Sequence, residues 1–430
     1  MNITTATVDH LVGLDGTDHG PAVIEIGPSG DVLAVRLQHD ARPATAPEVT
    51  ALPLLADSHA HLAISDGVTD DISFHALDRV DAQLRHLAVR GIGHVHSLGT
   101  DQPWLQDRLR RRLDSGDAGE KAFGYSAGVG FGAVDGWPPE LTSPEPRFRP
   151  EEPDVARHQV RQLAGLGCRT LKIWVDDFGG SVPKVPLDIV QAIVDEARQC
   201  GMASFAHVFF HDDAEALVAC GIDVLAHSVR DKIIDDALIG AMLDHGTTLV
   251  PTLSREESEL EFSNTDNAYM DNGFFLSSES DLVPRLRGKK YSDDPHTPKR
   301  RLEIALENVA RVHAAGVPIS LGTDSGFKMK LLGFAQHREL QLLNKAGLSP
   351  AECLKAALQT NQRLFAIGMT AIAPDQRASF FVVEGNPLTD ISATVNIREV
   401  WVCGQRLSGP DVDLTDRSSV PVSAGEFSES

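Results

Sequence analysis

Two histidines separated by one small residue follow an apolar run near the start of the chain. His59 and His61 come shortly after the apolar stretch at residues 52–56. Successive side chains of a strand alternate between its faces, so these two imidazoles would share a side and could share a divalent ion. With 17 histidines in the chain, this spacing is expected about once by chance, and a second instance occurs at His94 and His96. The motif alone is therefore weak evidence for a metal site.

Four further polar residues follow apolar runs later in the sequence. They are Lys172, His207, His227 and Asp324, each at the end of a separate predicted strand. Taken singly, each has an ordinary explanation: a core histidine with a satisfied hydrogen bond, a strand-end lysine or a helix cap. Polar groups drawn from five strand ends to one rim are costly to desolvate unless they bind something. Their joint occurrence in this order favours a metal site.

Eight apolar stretches alternate with helix-like segments over residues 52–365. The strands are predicted at residues 52–56, 92–96, 122–126, 170–175, 203–208, 224–227, 248–253 and 319–322. Repeated strand–helix units of this number predict an α/β fold, a (β/α)8 TIM barrel. A doubly wound open sheet is the structural alternative, but no Gly-x-Gly-x-x-Gly follows the first predicted strand.

The two ends of the chain have a different character. Residues 1–51 contain turn signals and two short apolar stretches that predict a hairpin, and residues 366–407 return to β character after the last helices. We expect both segments to form one small β-sandwich domain beside the barrel. Residues 408–430 are rich in Ser, Asp, Pro and Gly and are predicted to be a disordered tail.

Composition narrows the class of protein. Hydrophobic residues make up 42% of the 430 and charged residues 23%, which is typical of a soluble globular protein. The net charge of −22 argues against nucleic acid or an anionic membrane as a partner. No apolar run is long enough to span a membrane, and the first residues lack the pattern of a cleaved signal. Five scattered cysteines fit a reducing compartment, so we expect a cytoplasmic protein. We expect its partner to be a small-molecule substrate, and a homo-oligomer is compatible with the sequence.

The ordered set of strand-end residues resembles the amidohydrolase superfamily, and in particular its imidazolonepropionase-like and prolidase-like branch. The phrase Phe-Val-Val-Glu-Gly-Asn-Pro-Leu at residues 381–388 also resembles that superfamily's β-sandwich. The resemblance implies two divalent metal ions. The ligands that it implies are His59, His61 and Asp324 for one ion, His207 and His227 for the second, and Lys172 as a bridging carbamate (N6-carboxylysine). Zinc is expected for histidine-rich ligation, with manganese, cobalt or iron as alternatives.

The resemblance also implies the reaction. A hydroxide held between the two metals would attack a carbonyl, with Asp324 as general base and then general acid. We expect hydrolysis of a C–N bond in an amide, peptide-like or cyclic-amide substrate. The same hydroxide could attack an ester, lactone or carbamate, so these substrates remain the alternative. A deaminase is disfavoured because such relatives generally lack the bridging lysine, and a catalytically inactive scaffold because the full ligand set is present.

The sequence is less informative about the substrate. Loop positions after the predicted strands offer Phe131 and Trp137 as an active-site wall and Arg230 and Arg255 as cations for a carboxylate, although solvated loop arginines would look the same. On the second strand, relatives often have Thr-x-Arg-Asp, so His96 is a candidate substrate contact, with packing or a supporting role as the alternative. The length of the segment at residues 254–298 predicts a lid or another functional insertion, with a surface insertion or an oligomer contact as the alternative.

Overall fold

The computed structural model describes residues 3–38, 47–70, 76–116, 119–138, 147–365, 369 and 371–408. All but the first residue of the predicted tail, 408–430, lies outside these ranges. The described chain contains strands throughout its length. They are β1 (Thr4–Val8), β2 (His10–Leu11), β3 (Ala22–Ile26), β4 (Val32–Leu37), β5 (Val49–Pro53), β6 (Leu55–Ala60), β7 (Ile92–Ser97), β8 (Phe123–Ser126), β9 (Gly130–Phe131), β10 (Arg147–Phe148), β11 (Thr170–Trp174), β12 (Ala203–His207), β13 (Val224–Ala226), β14 (Thr248–Val250), β15 (Phe380–Glu384), β16 (Ile397–Val402) and β17 (Gln405–Ser408).

Helices occupy most of the connections between the central strands. They are α1 (Leu77–Ala88), α2 (Pro103–Ser115), α3 (Pro153–Gly165), α4 (Leu187–Gln199), α5 (His211–Ala219), α6 (Asp236–His245), α7 (Leu253–Glu261), α8 (Gly273–Ser278), α9 (Val283–Leu286), α10 (His296–Ala314), α11 (Phe334–Lys345), α12 (Pro350–Lys355) and α13 (Asn361–Phe365). Three of them, α2, α3 and α12, begin at proline, which suits the first turn because its missing N–H has no partner there.

The central strands pair in parallel, as strand–helix–strand units require. One sheet has the order β6-β7-β8, and the other runs β10-β9-β11-β12-β13-β14. The segment around residues 318–325 makes single parallel bridges to both sheets, through Ile319 to Leu249 and through Ser325 to Ala60. It therefore lies between the last strand of one sheet and the first strand of the other. The result is a TIM-barrel-like α/β unit.

Three predicted strands need corrected bounds. The first barrel strand begins at Leu55, because Leu52 belongs to β5, which pairs with β15 instead. The seventh ends at Val250, because α7 begins at Leu253. Within the described chain, the eighth predicted strand is represented by the single bridges of the 318–325 segment and not by a continuous ladder. Only the predicted bounds of these strands were wrong, so the side chains predicted at the strand ends still lie there.

Strands from both chain ends share one sheet. Its order is β17-β16-β15-β5-β2, and a separate antiparallel sheet has the order β1-β3-β4. Apolar side chains of the two sheets form a common buried cluster, to which Ile24, Ala51, Phe380 and Trp401 belong. The strand β5 leads directly into β6, so this region is joined to the central strand that carries His59.

Residues 254–298 contain α7, α8, α9 and the start of α10. Their apolar side chains pack with those of the segment after residue 324 in one buried cluster, which includes Phe262, Phe275, Leu286, Met329 and Phe334. This insertion is thus anchored to the segment that follows Asp324. Among the described residues, no helix combines the length and apolar character that a membrane span requires.

Candidate metal centre

His59 and His61 meet the carboxylate of Asp324 at the end of β6. Asp324 Oδ1 lies 3.2 Å from His59 Nε2 and 3.0 Å from His61 Nε2. Two donors on one zinc ion, each at roughly 2.0–2.1 Å, are about 3.3 Å apart in a tetrahedral site. The three ligand atoms lie within 4.8 Å of one another, and all three residues are buried. Their spacing therefore fits a shared divalent ion.

Lys172 enters the same cluster from β11. Its side chain is fully buried, and Nζ lies 3.3 Å from His59 Nε2. Burial lowers the pKa of Lys172 to about 7, against the opposing effect of the Asp324 carboxylate, while Arg255 and Arg230 lower it further. Gly99 makes room for this side chain, because a Cβ built at Gly99 would lie 2.8 Å from the Cβ of Lys172.

His207 and His227 complete the set from the ends of β12 and β13. Their ring centroids are 4.5 Å apart, and the ring of His227 lies 4.9 Å from that of His59. The residues predicted as metal ligands thus form one connected, buried cluster. Lys172 lies in the middle of β11, and the other members come from the carboxyl end of a parallel strand or from the segment that follows.

Three residues that the sequence did not single out orient the imidazoles. Thr100 Oγ1 is 2.9 Å from His61 Nδ1, and Thr252 Oγ1 is 2.7 Å from His227 Nδ1. Asp176 Oδ2 is 3.2 Å from His207 Nε2. Metal-binding histidines usually hold such a partner at the ring, which fixes its orientation. Asp176 follows the strand of Lys172 by two residues, a signal that could have been found in the sequence.

The protonation of the cluster suits metal binding. Burial lowers the pKa of all four imidazoles, that of His207 to about 4 and those of His59 and His227 well below their usual value. Burial alone would raise the pKa of Asp324, but His59 and hydrogen bonds from both nearby imidazoles hold it well below its ordinary range. Neutral imidazoles and an ionised carboxylate are the forms that bind metals. His59 Nδ1 is also buried without a hydrogen-bond partner among the described residues.

Backbone strain is concentrated at the same place. His227, Thr252 and Asp324 all have positive φ, at 87°, 52° and 54°. Residues other than glycine rarely adopt this region, and β-branched threonine is especially disfavoured there. Such conformations persist only where the surroundings impose them, and they cluster at functional sites.

Neither predicted arginine is a freely solvated loop residue: Arg230 is buried, and Arg255 is half-buried. Arg255 Nε donates to Asp324 Oδ2 over 2.9 Å, and Arg255 also pairs with Glu256 and Glu259. Arg230 pairs with Glu256 over 3.1 Å and has only 3% of its surface exposed. Arg255 therefore adjoins the candidate centre through Asp324, and Arg230, whose charge also lowers the pKa of Lys172, belongs to a buried ion-pair network.

The remaining predicted contacts lie in different surroundings. Phe131 is fully buried on β9 and packs against Phe148. Trp137 is partly exposed and lies edge-on against Phe178, with ring centroids 4.7 Å apart. His96 is buried beneath the metal cluster, and its Nε2 lies 2.8 Å from Thr170 Oγ1. Of the three, only Trp137 offers a surface open to solvent.

Comparison with known proteins agrees with this arrangement. The sequence model of the amidohydrolase family matches residues 50–407. The fold and site define a metal-dependent hydrolase class, and the chain belongs to the amidohydrolase family.

A curated relative and two solved structures extend this result. The chain is 30% identical over 310 residues to "Uncharacterized protein Rv2915c" of Mycobacterium tuberculosis (strain ATCC 25618 / H37Rv), covering 71% of this chain and 72% of the relative. A Xaa-Pro dipeptidase with bound methionine aligns with a TM-score of 0.70 and 20% identity, covering 95% of this chain and all of the other. The A. niger ochratoxinase aligns with a TM-score of 0.70 and 18% identity over 96% and 97% of the two chains. The structures show a shared fold.

Proposed function

We propose that this protein is a binuclear metal-dependent hydrolase that cleaves the C–N bond of an amide, peptide-like or cyclic-amide substrate. The observation that carries the proposal is the buried cluster of four neutral imidazoles, one carboxylate and one lysine at the strand ends. Family membership supports hydrolysis as the reaction class. We further propose that the central unit is a (β/α)8 barrel and that the chain ends form a β-sandwich beside it, since β5 and β15 are paired.

The ligand assignment follows the geometry of the cluster. His59, His61 and Asp324 would hold one divalent ion, and His207 and His227 the second, with Lys172 between them as N6-carboxylysine. Zinc suits a set dominated by imidazole, with manganese, cobalt or iron as alternatives. When bound, the two ions would lower the pKa of a water molecule and polarise the scissile carbonyl.

The surroundings of Lys172 favour its modification. Only the neutral amine can attack the carbon of carbon dioxide, forming an N–C bond and releasing a proton to give the carbamate. Burial favours that neutral form, since it lowers the pKa of Lys172. The modification would replace a buried cation, which repels metal ions, with an anion that binds them.

Asp324 is the residue that we propose to move the proton. Its Oδ1 faces His59 and His61, so this carboxylate lies next to the position that we propose for the attacking water. It would accept a proton from that water and donate it to the leaving nitrogen. Arg255 holds the other oxygen, Oδ2, and so fixes the plane of the carboxylate.

For the substrate we propose a small amide with an apolar group. Among the predicted contacts, Trp137 presents an exposed aromatic surface. Arg255 is the predicted cation next to Asp324, the carboxylate that we propose to transfer the proton. Because one structural neighbour is a Xaa-Pro dipeptidase, dipeptides and N-acyl amino acids are the first substrates to test. We also propose a cytoplasmic location, because all five cysteines are free.

The test combines metal analysis with paired substrates. Protein purified with bicarbonate present is expected to contain close to two transition-metal ions per chain and to hydrolyse dipeptides or N-acyl amino acids faster than the matched esters. A preference for the esters would overturn the bond assignment and favour the ester, lactone or carbamate alternative. One ion per chain would point to a mononuclear site, and none after growth in metal-supplemented medium would leave an inactive scaffold.

A further inference from the structure

A cavity lies below the metal cluster, between β8 and the start of β11. Its volume is about 650 Å3, within the range of small-molecule sites. His94, His96 and Thr170 line it, together with residues of α2 and of the strands near the C-terminal end. None of the proposed metal ligands is among its lining residues. It is therefore a separate space within the fold.

One wall of this cavity is aromatic, and one lining residue, Gln106, has a buried polar atom without a partner in the described chain. The ring of His94 is stacked with those of Phe123 and Tyr125, at centroid distances of 5.6 and 5.9 Å. Gln106 is 3% exposed, and its Nε2 donates to a backbone carbonyl, while its Oε1 is buried without a hydrogen-bond partner in the described chain. A buried acceptor of this kind is costly unless a ligand or water donates to it.

Three arginines and one carboxylate, that of Asp114, are among the charged residues that line the cavity. Arg110, Arg169 and Arg377 line it, in a chain with a net charge of −22. Arg110 is paired with Asp107 and Asp114, and Arg377 donates to backbone carbonyls. The guanidinium of Arg169 is exposed, and within the described ranges it has no ion pair or hydrogen bond. It is the cation available to an incoming anion.

We infer that this cavity binds a small organic anion that carries an aromatic or apolar body and an N–H donor. The carboxylate would pair with Arg169 at the mouth, the body would pack on the wall formed by Phe123 and Tyr125, and the N–H would donate to Gln106 Oε1. Arg supplies the planar donors that carboxylates prefer. The site is distinct from the centre proposed for hydrolysis, and it contacts Thr170, which precedes Lys172 by two residues on β11.

Indole-3-acetate is a suitable probe because it has a flat ring, an N–H and a carboxylate but no amide to hydrolyse. Calorimetric titration of the full chain is expected to show saturable binding of indole-3-acetate. Binding of indole-3-ethanol, which has the same ring and N–H without the charge, should be about tenfold weaker, the value expected for a charge-assisted hydrogen bond. Inorganic phosphate, with charge but no ring, should also bind more weakly. Phosphate binding as tight as that of indole-3-acetate would overturn the ligand class.

Variants locate the site. Arg169→Gln should weaken indole-3-acetate about tenfold and leave indole-3-ethanol nearly unchanged, while Arg108→Gln, an exposed arginine of α2 outside the cavity, should change neither. Leu113→Trp should fill the space and remove binding of both, with its fold checked by thermal melting. Asp324→Asn should bind the probe as the wild type does. Loss of binding in Asp324→Asn, unchanged binding in Arg169→Gln, or no saturable binding to the wild type would overturn the inference.

Discussion

Two His-x-His pairs lie on neighbouring parallel strands, and only one of them belongs to the candidate metal centre. His59 and His61 end β6, whereas His94 and His96 lie within β7. In the register of the two strands, His94 is level with Ala56, three residues before His59. Ser97 is level with Ala60, so the second pair lies two to three residues deeper, or roughly 7–10 Å at about 3.3 Å per residue.

Burial does not separate the two pairs, because all four imidazoles are buried and burial lowers the pKa of each. What differs is the neighbourhood. The upper pair, His59 and His61, faces a carboxylate and a lysine. The deeper pair, His94 and His96, faces Tyr125, Phe205 and the hydroxyl of Thr170. A His-x-His motif thus acquires metal-binding potential from its depth along the strand and not from its spacing.

The largest expected effect comes from replacing a side chain of the upper pair or its carboxylate partner. His59→Ala should reduce turnover by at least about 10³-fold and lower metal content, because a ligand to the ion is lost. Asp324→Asn should abolish turnover with the fold retained, as judged by circular dichroism. His94→Phe is the matched control, since it changes the deeper pair and should retain the metal. Turnover at the wild-type rate in either His59→Ala or Asp324→Asn would refute the assignment of the upper pair.

A second prediction concerns the lysine that distinguishes the upper neighbourhood. Lys172→Ala should reduce the metal content per chain, and short carboxylic acids such as acetate should restore part of the activity by replacing the carbamate. Lys184→Ala, which removes a partly exposed lysine in the loop after β11, should leave metal content unchanged. Normal metal content and rate in Lys172→Arg would show that the carbamate is not required.

The third prediction tests the partners that orient the upper rings. Asp176→Asn should weaken metal affinity by roughly 10–100-fold, the usual cost of losing a group that orients a metal-binding histidine. Asp177→Asn provides the control, since this neighbouring carboxylate pairs with Lys184 instead. Metal titration followed by activity measures both. Equal affinity in the two variants would mean that Asp176 does not orient His207.

The sequence allowed the strand ends to be predicted because side-chain polarity changes abruptly there. Apolar runs followed by Lys172, His207 or His227 carry this signal locally, even where the strand bounds were wrong by a few residues. Depth along a strand depends on register between neighbours, which no local pattern records. The contrast between the two His-x-His pairs therefore required the structure.

Ion pairs between residues far apart in the chain could not be predicted from the sequence either. Glutamate is usually exposed, yet Glu256, Glu257 and Glu259 of α7 are buried. Arg255 supplies a local countercharge to two of them, but others come from far along the chain, as the pairs of Glu257 with Arg338 and of Glu259 with Lys330 show. Buried carboxylates survive only with such partners, and composition cannot reveal which residues will supply them.

The smallest expected effect concerns the pH dependence of stability for the deeper pair. Burial lowers the pKa of His94 to about 4, so the native ring stays neutral while the unfolded chain binds a proton below about pH 6.5. Acidification from pH 7 to 5.5 therefore favours the unfolded state, and His94 should account for a loss of about 1 kcal/mol in the free energy of unfolding. His94→Phe, which can keep the stacking with Phe123, should lose that much less over the same interval in urea titrations. His245→Gln, at an exposed position on α6, should follow the wild type, and a pH dependence in His94→Phe equal to that of the wild type would show that His94 is protonated in the native state.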